Sequence, residues 1–233
     1  AVLAHPDDEI GIAGWLYRLH EAGIPIRVVW AHSNPIREVE SRNAMRLIGP
    51  SDLHFLGLPD GDLVDHLSEL VETIREHHRE FSPTDVVTMH FEQGHLDHDA
   101  CSFSVAQATS ARRWEFPMYH TYLTPFQTLG TFSVPLGEKV LELSPEERFL
   151  KQRLTETFPS QTLRRNILAF QIMRALTFRP VRMGDTERYK VDPQHDYLVP
   201  NHPAPLALRV SRSRHWSRWE AAVRAFGYAS KVS

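Results

Sequence analysis

Over its first 110 residues the chain alternates between two hydrophobic periods, and this alternation limits the fold more than any other feature. Short apolar runs occupy residues 1–4 (AVLA), 25–31 (PIRVVWA), 53–56 (LHFL) and 86–90 (VVTMH), and each reads as a strand, the first as the end of one. Helical patterns lie between them. Residues 10–22 place Ile12, Leu16 and Leu19 near helical spacing and stop at Gly23, a helix C-terminal signal. Residues 38–48 are helical and stop at Gly49-Pro50. Residues 63–80 put Leu63, Leu67, Leu70, Val71 and Ile74 on one side, and residues 98–110 form the next helix. Strands joined through helices of this length run parallel, with right-handed crossovers. The expected fold class is therefore α/β: a Rossmann-like, mostly parallel sheet flanked by helices. With 233 residues, 42% of them hydrophobic, the chain has enough apolar side chains for a sizeable core in one such domain.

The second half is less regular. Residues 118–124 and 131–134 read as strands. Ser144-Pro145-Glu146-Glu147 is a strong helix start, with Ser as N-cap, Pro at the first position and acids in the first turn. That helix is expected to run to about residue 157. A break at Phe158-Pro159-Ser160 precedes another helix over residues 162–178. From residue 179 the chain is rich in Pro, Arg, Trp and His. With no repeat and no low-complexity linker, residues 1–233 read as one domain with a less regular C-terminal part from about residue 179. Whether that tail is a packed extension or a homo-oligomer contact stays open.

Two clusters carry chemistry. Ala4-His5-Pro6-Asp7-Asp8-Glu9 follows the first apolar run, and the proline turns the chain out of the strand. Such a loop can offer a metal one nitrogen and one oxygen ligand and still leave a carboxylate free as a base. Favourable charge at a helix N-terminus accounts for Asp8 and Glu9, but not for His5 or a second Asp. Gly94-His95-Leu96-Asp97-His98-Asp99 follows the fourth strand. On a parallel sheet the two clusters meet at the carboxyl ends of strands, where open α/β sheets bind ligands.

The bulk numbers set outer bounds. A net charge of −3 and a pI near 6.6 disfavour nucleic acid as the main partner, because backbone binding needs a basic face. The one cysteine, Cys101, excludes an intrachain disulfide and fits a reducing compartment, so a cytoplasmic location is expected. Its apolar helical surroundings make it a core residue rather than a nucleophile. No apolar run approaches the roughly 18 residues of a membrane span, and no signal peptide is visible. The first strand looks clipped, so upstream targeting sequence is compatible with what is seen.

The paired clusters resemble the signature of the LmbE/PIG-L deacetylase family: a strand-ending A-H-P-D-D-E and a later H-P-D-H, read here as residues 4–9 and His95-Leu96-Asp97-His98. Three further segments are similar to family motifs: REVESRNAMRLIG (residues 37–49), FLGLPDG (55–61) and KQRLTETFPSQ (151–161). The similarity covers roughly residues 1–165. Leu96 replaces the usual Pro, and Phe158 stands where many members carry His.

The resemblance implies that His5, Asp8 and His98 are ligands of one Zn²⁺, a set that leaves room for a reactive water. It implies an N-acetylglucosamine-type substrate, free or in a glycoconjugate, with Arg37 and Asp60 at positions that contact sugar hydroxyls. Asp7 is then the expected general base. His95, as an imidazolium, would stabilise the oxyanion or protonate the leaving amine, with Asp97 orienting it and raising its pKa. Glu9 is either a partner of a ligand histidine or a helix-dipole partner. Two other classes stay in view. Two histidines and a carboxylate also form the ligand set of non-haem Fe(II) oxygenases, which have no need of Asp7. A non-catalytic α/β sugar- or nucleotide-binding module has no use for Asp7 and His95 together, and the first loop lacks a G-x-G-x-x-G cradle.

Overall fold

The parallel strands that carry both clusters lie side by side. In the computed structural model, which describes residues 1–120, 128–161 and 184–229, strands β1 (Val2–Leu3), β2 (Arg27–His32) and β3 (Asp52–Leu58) pair in parallel in that order. Val2 stands opposite Val29, and Trp30 opposite Phe55. A second ladder pairs β4 (Asp85–Met89) in parallel with β5 (Arg112–Phe116). β4 comes alongside β1, so the parallel strands follow the order 3-2-1-4-5. The chain leaves β1 toward one edge and β4 toward the other. That reversal opens a crevice beyond the carboxyl ends of β1 and β4.

Right-handed crossovers then fix the layers. Helices α1 (Ala13–Glu21) and α2 (Pro35–Ile48) pack together, as do α3 (Leu67–Phe81) and α4 (Leu96–Ala108). The return from β3 to β4 reverses direction across the sheet, which places α3 on the opposite face from α2.

Several boundaries differ from the sequence expectation for local reasons. α2 starts at Pro35, not residue 38, because the Asn34 side chain accepts the Arg37 N–H (3.1 Å) and Pro35 suits the first turn. A 3-10 turn, Asp8–Ile12, precedes α1, and another, Leu63–His66, precedes α3.

The second half departs further. The expected strand at 131–134 is not formed; a short antiparallel pair joins β6 (Tyr119–His120) to β7 (Thr128–Leu129), and residues 121–124 of the expected strand at 118–124 lie outside the described residues. The expected helix at 162–178 also lies outside them. α5 (Pro145–Leu154) has the expected Ser144 start, a full capping box with Glu147, but ends before residue 157. Strands β5, β8 (Lys139–Glu142) and β9 (Thr186–Val191) were not expected. β9 runs antiparallel to β5 and to β8, and the three are too charged and half-buried to stand out as apolar runs. The tail adds helices Ala204–Val210 and Arg214–Ala225, whose Trp216 and Trp219 join Phe91, Phe103 and Tyr197 in the core. Cys101 is buried, as expected. No helix among the described residues is long and apolar enough to cross a membrane.

Candidate active site

The loop after β1 is folded onto itself. The His5 N–H donates to Asp8 Oδ2 (2.7 Å), and the Asp8 N–H to the His5 carbonyl (3.1 Å). Between them Asp7 takes a left-handed backbone, φ 116°, which a non-glycine residue holds only when its surroundings enforce it. Glu9 does the enforcing. It is fully buried and accepts hydrogen bonds from the Asp7 N–H (2.8 Å), Trp30 Nε1 (3.1 Å) and the Ser41 hydroxyl (2.6 Å). Glu9 therefore anchors the loop, and these hydrogen bonds go to none of the site's histidines.

The loop after β4 supplies the facing wall through the first turn of α4. His98 is buried, with Nε2 3.4 Å from Asp8 Oδ1, and neither of its ring nitrogens has a hydrogen-bond partner among the described residues. His5 Nδ1 lies 3.7 Å from Asp8 Oδ2, and the donor atoms of His5, Asp8 and His98 all fall within 4.8 Å of one another. Two imidazoles and a carboxylate, with orphaned buried nitrogens, form a donor set that fits a divalent metal. A second set, His5, His95 and Asp97, meets the same distance test. Its lone pairs are engaged: Asp97 accepts the Gly61 N–H (2.8 Å) and the Leu63 N–H (3.1 Å), and His95 Nδ1 accepts the Asp97 N–H (3.1 Å).

These contacts correct two expectations. Asp97 orients His95 only through its backbone N–H, not through its side chain. Its carboxylate meets His5 Nε2 at 3.0 Å and lies 3.9 Å from His95 Nδ1, so it holds His5 with Nδ1 turned toward Asp8. Nor is the His95 pKa raised. Burial and the neighbouring His98 and His5 push it down to about 4, against the pull of Asp97. The geometry gives the same answer: Nδ1 accepts a backbone N–H, so the ring proton sits on Nε2 and a second proton on Nδ1 would break the α4 cap.

The other candidates converge on the same crevice. Arg37, in the first turn of α2, is buried; its Nη2 donates to the Pro6 carbonyl (2.6 Å) and to Asp7 Oδ1 (3.0 Å). Asp60, on the turn after β3, places Oδ1 3.2 Å from His5 Nε2 and Oδ2 3.7 Å from Arg37 Nη1, with its side chain half exposed to solvent. Sequence reasoning placed His32 near the same strand ends but found nothing to set it apart from a solvated or capping residue. Its Nδ1–H donates to the Leu58 carbonyl (2.7 Å), its Nε2 faces Asp60 at 3.7 Å, and its ring stands 5.9 Å from that of His5. Its place directly after the second strand was the only signal. Tyr119, whose ring lies 5.1 Å from that of His98, was missed.

The electrostatics divide the two aspartates of the loop. Burial alone would raise Asp8, but His98 and His5 hold its carboxyl below the usual range. Asp7 goes the other way: burial first, then the charge of Asp8, push it up to about 8 against the pull of Arg37. Burial disfavours a charged His5, yet Asp60, Asp97 and Asp8 raise it to about 10. So many carboxylates around one point make a site suited to a cation, with one carboxyl of raised pKa beside it.

The family model described as PIG-L, GlcNAc-PI de-N-acetylase, matches residues 1–109, which hold both clusters. An uncharacterized deacetylase of Escherichia coli K12, YaiS, is 31% identical over 155 residues, covering 61% of this chain and 81% of YaiS. The conserved protein TT1542 of Thermus thermophilus superposes with a TM-score of 0.61 at 22% identity, covering 87% of this chain and 97% of that one. The zinc-inhibited form of teicoplanin deacetylase Orf2 gives 0.60 at 18% identity, covering 82% and 97%. The two structures share the fold, and the YaiS match, together with the family model over both clusters, shows that the chain belongs to the LmbE/PIG-L deacetylase family.

Proposed function

We propose that this protein is a metal-dependent hydrolase that removes the N-acetyl group from an N-acetylglucosamine-type sugar or glycoconjugate. The observation that carries the reading is the convergence of His5, Asp8 and His98 donor atoms within 4.8 Å, with the Asp7 carboxylate beside them held by Arg37. His5, Asp8 and His98 would hold a divalent cation, with zinc the first candidate. When bound, such a cation polarises the amide carbonyl and lowers the pKa of the hydrolytic water.

The chain's own residues supply the rest. Asp7, fixed by Arg37 and Glu9, takes a proton from the attacking water and returns it to the departing amine. His95 donates its Nε2–H to the developing oxyanion as a neutral imidazole, a role that burial and its backbone cap prepare. The neutral donor replaces the imidazolium expected from sequence. Asp97 keeps the His5 ring in place through Nε2. Asp60 and the free side of Arg37 line the crevice, and a carboxylate and a guanidinium suit the vicinal hydroxyls of a sugar ring.

Amine release from a panel of N-acetyl sugars, glycosides and glycopeptides tests the reading. The relative Orf2 is known in a zinc-inhibited form, so metal content and turnover are measured separately, with zinc and cobalt added back after chelation. Turnover of an N-acetylglucosamine derivative that is lost with the metal is the expected result. Equal turnover of simple acyl amides would sink the sugar assignment, and undiminished turnover in metal-stripped protein would sink the metal.

A further inference from the structure

A second buried cluster, unused by the chemistry above, joins the C-terminal segment to the loop that carries His95 and His98. His90, at the end of β4, places Nδ1 2.7 Å from Glu115 Oε2, and His195 places Nε2 2.8 Å from the same oxygen. Three buried side chains of these types can look like a cation site. Asn201 argues otherwise. Its Nδ2 donates to the Phe91 carbonyl at 2.8 Å, a partner that can only accept, so the orientation of the amide is fixed. The same Nδ2 lies 2.9 Å from His90 Nε2, which must therefore accept. His90 then carries its proton on Nδ1 and donates it to Glu115. No lone pair remains on His90 for a metal, and the Arg113 guanidinium, 2.8 Å from Glu115 Oε1, adds a positive charge where a cation would need to sit.

The cluster is a fastening, and what it fastens is specific. Asn201 also donates its backbone N–H to Gln93 Oε1 (2.8 Å). Gln93 is fully buried, has a left-handed backbone (φ 50°) and stands two residues before His95. From inside the loop, Asp99 Oδ1 accepts the N–H groups of Glu92 and Gln93, each at 3.1 Å. We propose that Asn201, anchored by His195 on Glu115, is a positioning residue that clamps residues 90–93 and thereby sets where His95 and His98 stand. The proposal deepens the metal-hydrolase reading and rests on it for the roles of His95 and His98.

The decisive variant is Asn201→Asp, which keeps the shape and removes both side-chain donors, with Asn201→Ala beside it. Val199→Ala, at an exposed neighbouring position, is the control. Zinc affinity of the full chain, measured by chelator competition, is expected to fall about 10-fold, the low end of what loss of a direct partner of a metal ligand costs, because Asn201 reaches His98 only through residues 90–93. With N-acetyl sugar as substrate, kcat should fall with KM little changed, because Arg37, on α2, and Asp60, on the turn after β3, sit on other elements. Nitrogen chemical shifts should show wild-type His90 protonated on Nδ1, and Asn201→Asp should move that proton to Nε2 or charge the ring. A lower melting temperature with wild-type zinc affinity and kcat would reduce Asn201 to a structural residue and overturn the proposal. So would a wild-type His90 protonated on Nε2, or a second zinc per chain that is lost in His195→Ala. If wild-type protein hydrolyses no N-acetyl sugar, the functional reading falls, while the His90 tautomer still decides the clamp.

Discussion

Asp7 shows how much structure one catalytic side chain requires. Its left-handed backbone costs about 1–3 kcal/mol, and Glu9 and Arg37 hold it there from two directions. Asp7→Asn keeps these contacts in outline and removes only the base. The expected variant binds zinc like wild type and loses about 10²–10⁴ in kcat. Metal analysis beside initial rates checks this, and near-wild-type kcat would remove Asp7 from the role. Glu92 offers a second single-residue test. Its Oε1 accepts the N–H groups of Met118 and Tyr119, each at 2.8 Å, while buried Oε2 has no partner among the described residues. Burial pushes its carboxyl up to about 8. Because the folded-state value lies above the unfolded one, the folded chain binds the extra proton between them, and stability falls as pH rises from about 4.5 toward 8. Glu92→Gln keeps the accepting oxygen and does not titrate. Denaturant melts at pH 5 and pH 8 should show wild type losing a few kcal/mol more than the variant across that interval, and parallel losses would count against the raised carboxyl.

At the scale of elements, the N-terminus of α1 is capped by a residue far away in sequence. Glu187 on β9, almost fully buried, accepts the N–H groups of Gly14 (2.8 Å) and Trp15 (2.9 Å), the Tyr189 hydroxyl (2.7 Å) and Lys151 Nζ (2.8 Å). A carboxylate at a helix N-terminus meets both the unpaired N–H groups and the positive end of the dipole. Here it also ties α1, α5 and β9 together. Glu187→Ala leaves Lys151 and two helix donors without their partner, and the expected loss is about 3–5 kcal/mol in urea unfolding. A loss below about 1 kcal/mol would mean that water replaces the carboxylate without difficulty. Local capping was easier to see from sequence. The Ser144 capping box needs only residues three apart. The Asn34 cap was missed because Ser33-Asn34-Pro35 was read as a loop, when Asn34 caps the helix and Pro35 begins it.

At the scale of the whole molecule, the division between what was legible and what was not follows the range of the interactions. The alternation of periods and the two clusters are local patterns, and from them alone came the parallel sheet, its helical crossovers and the placing of His5, Asp7, Asp8, His95, Asp97 and His98 at strand ends. Strands β5, β8 and β9 stayed hidden, because a half-buried strand with charged neighbours has no apolar run to betray it. Within the site, residue types were readable and partnerships were not. Asp97 neighbours His95 in sequence but holds His5, because β4 lies beside β1 and brings the two loops together across 92 residues. His32 enters only because β2 ends next to β1. The neutral state of His95 depends on which backbone N–H faces its Nδ1, and the Asn201 clamp spans 111 residues to reach His90. Sequence by itself determined the chemistry available to this protein, since side-chain type and strand-end position are written locally. Only the tertiary structure decided which atoms meet, since strand order and buried hydrogen bonds assign each donor its acceptor, and with it each ring its proton.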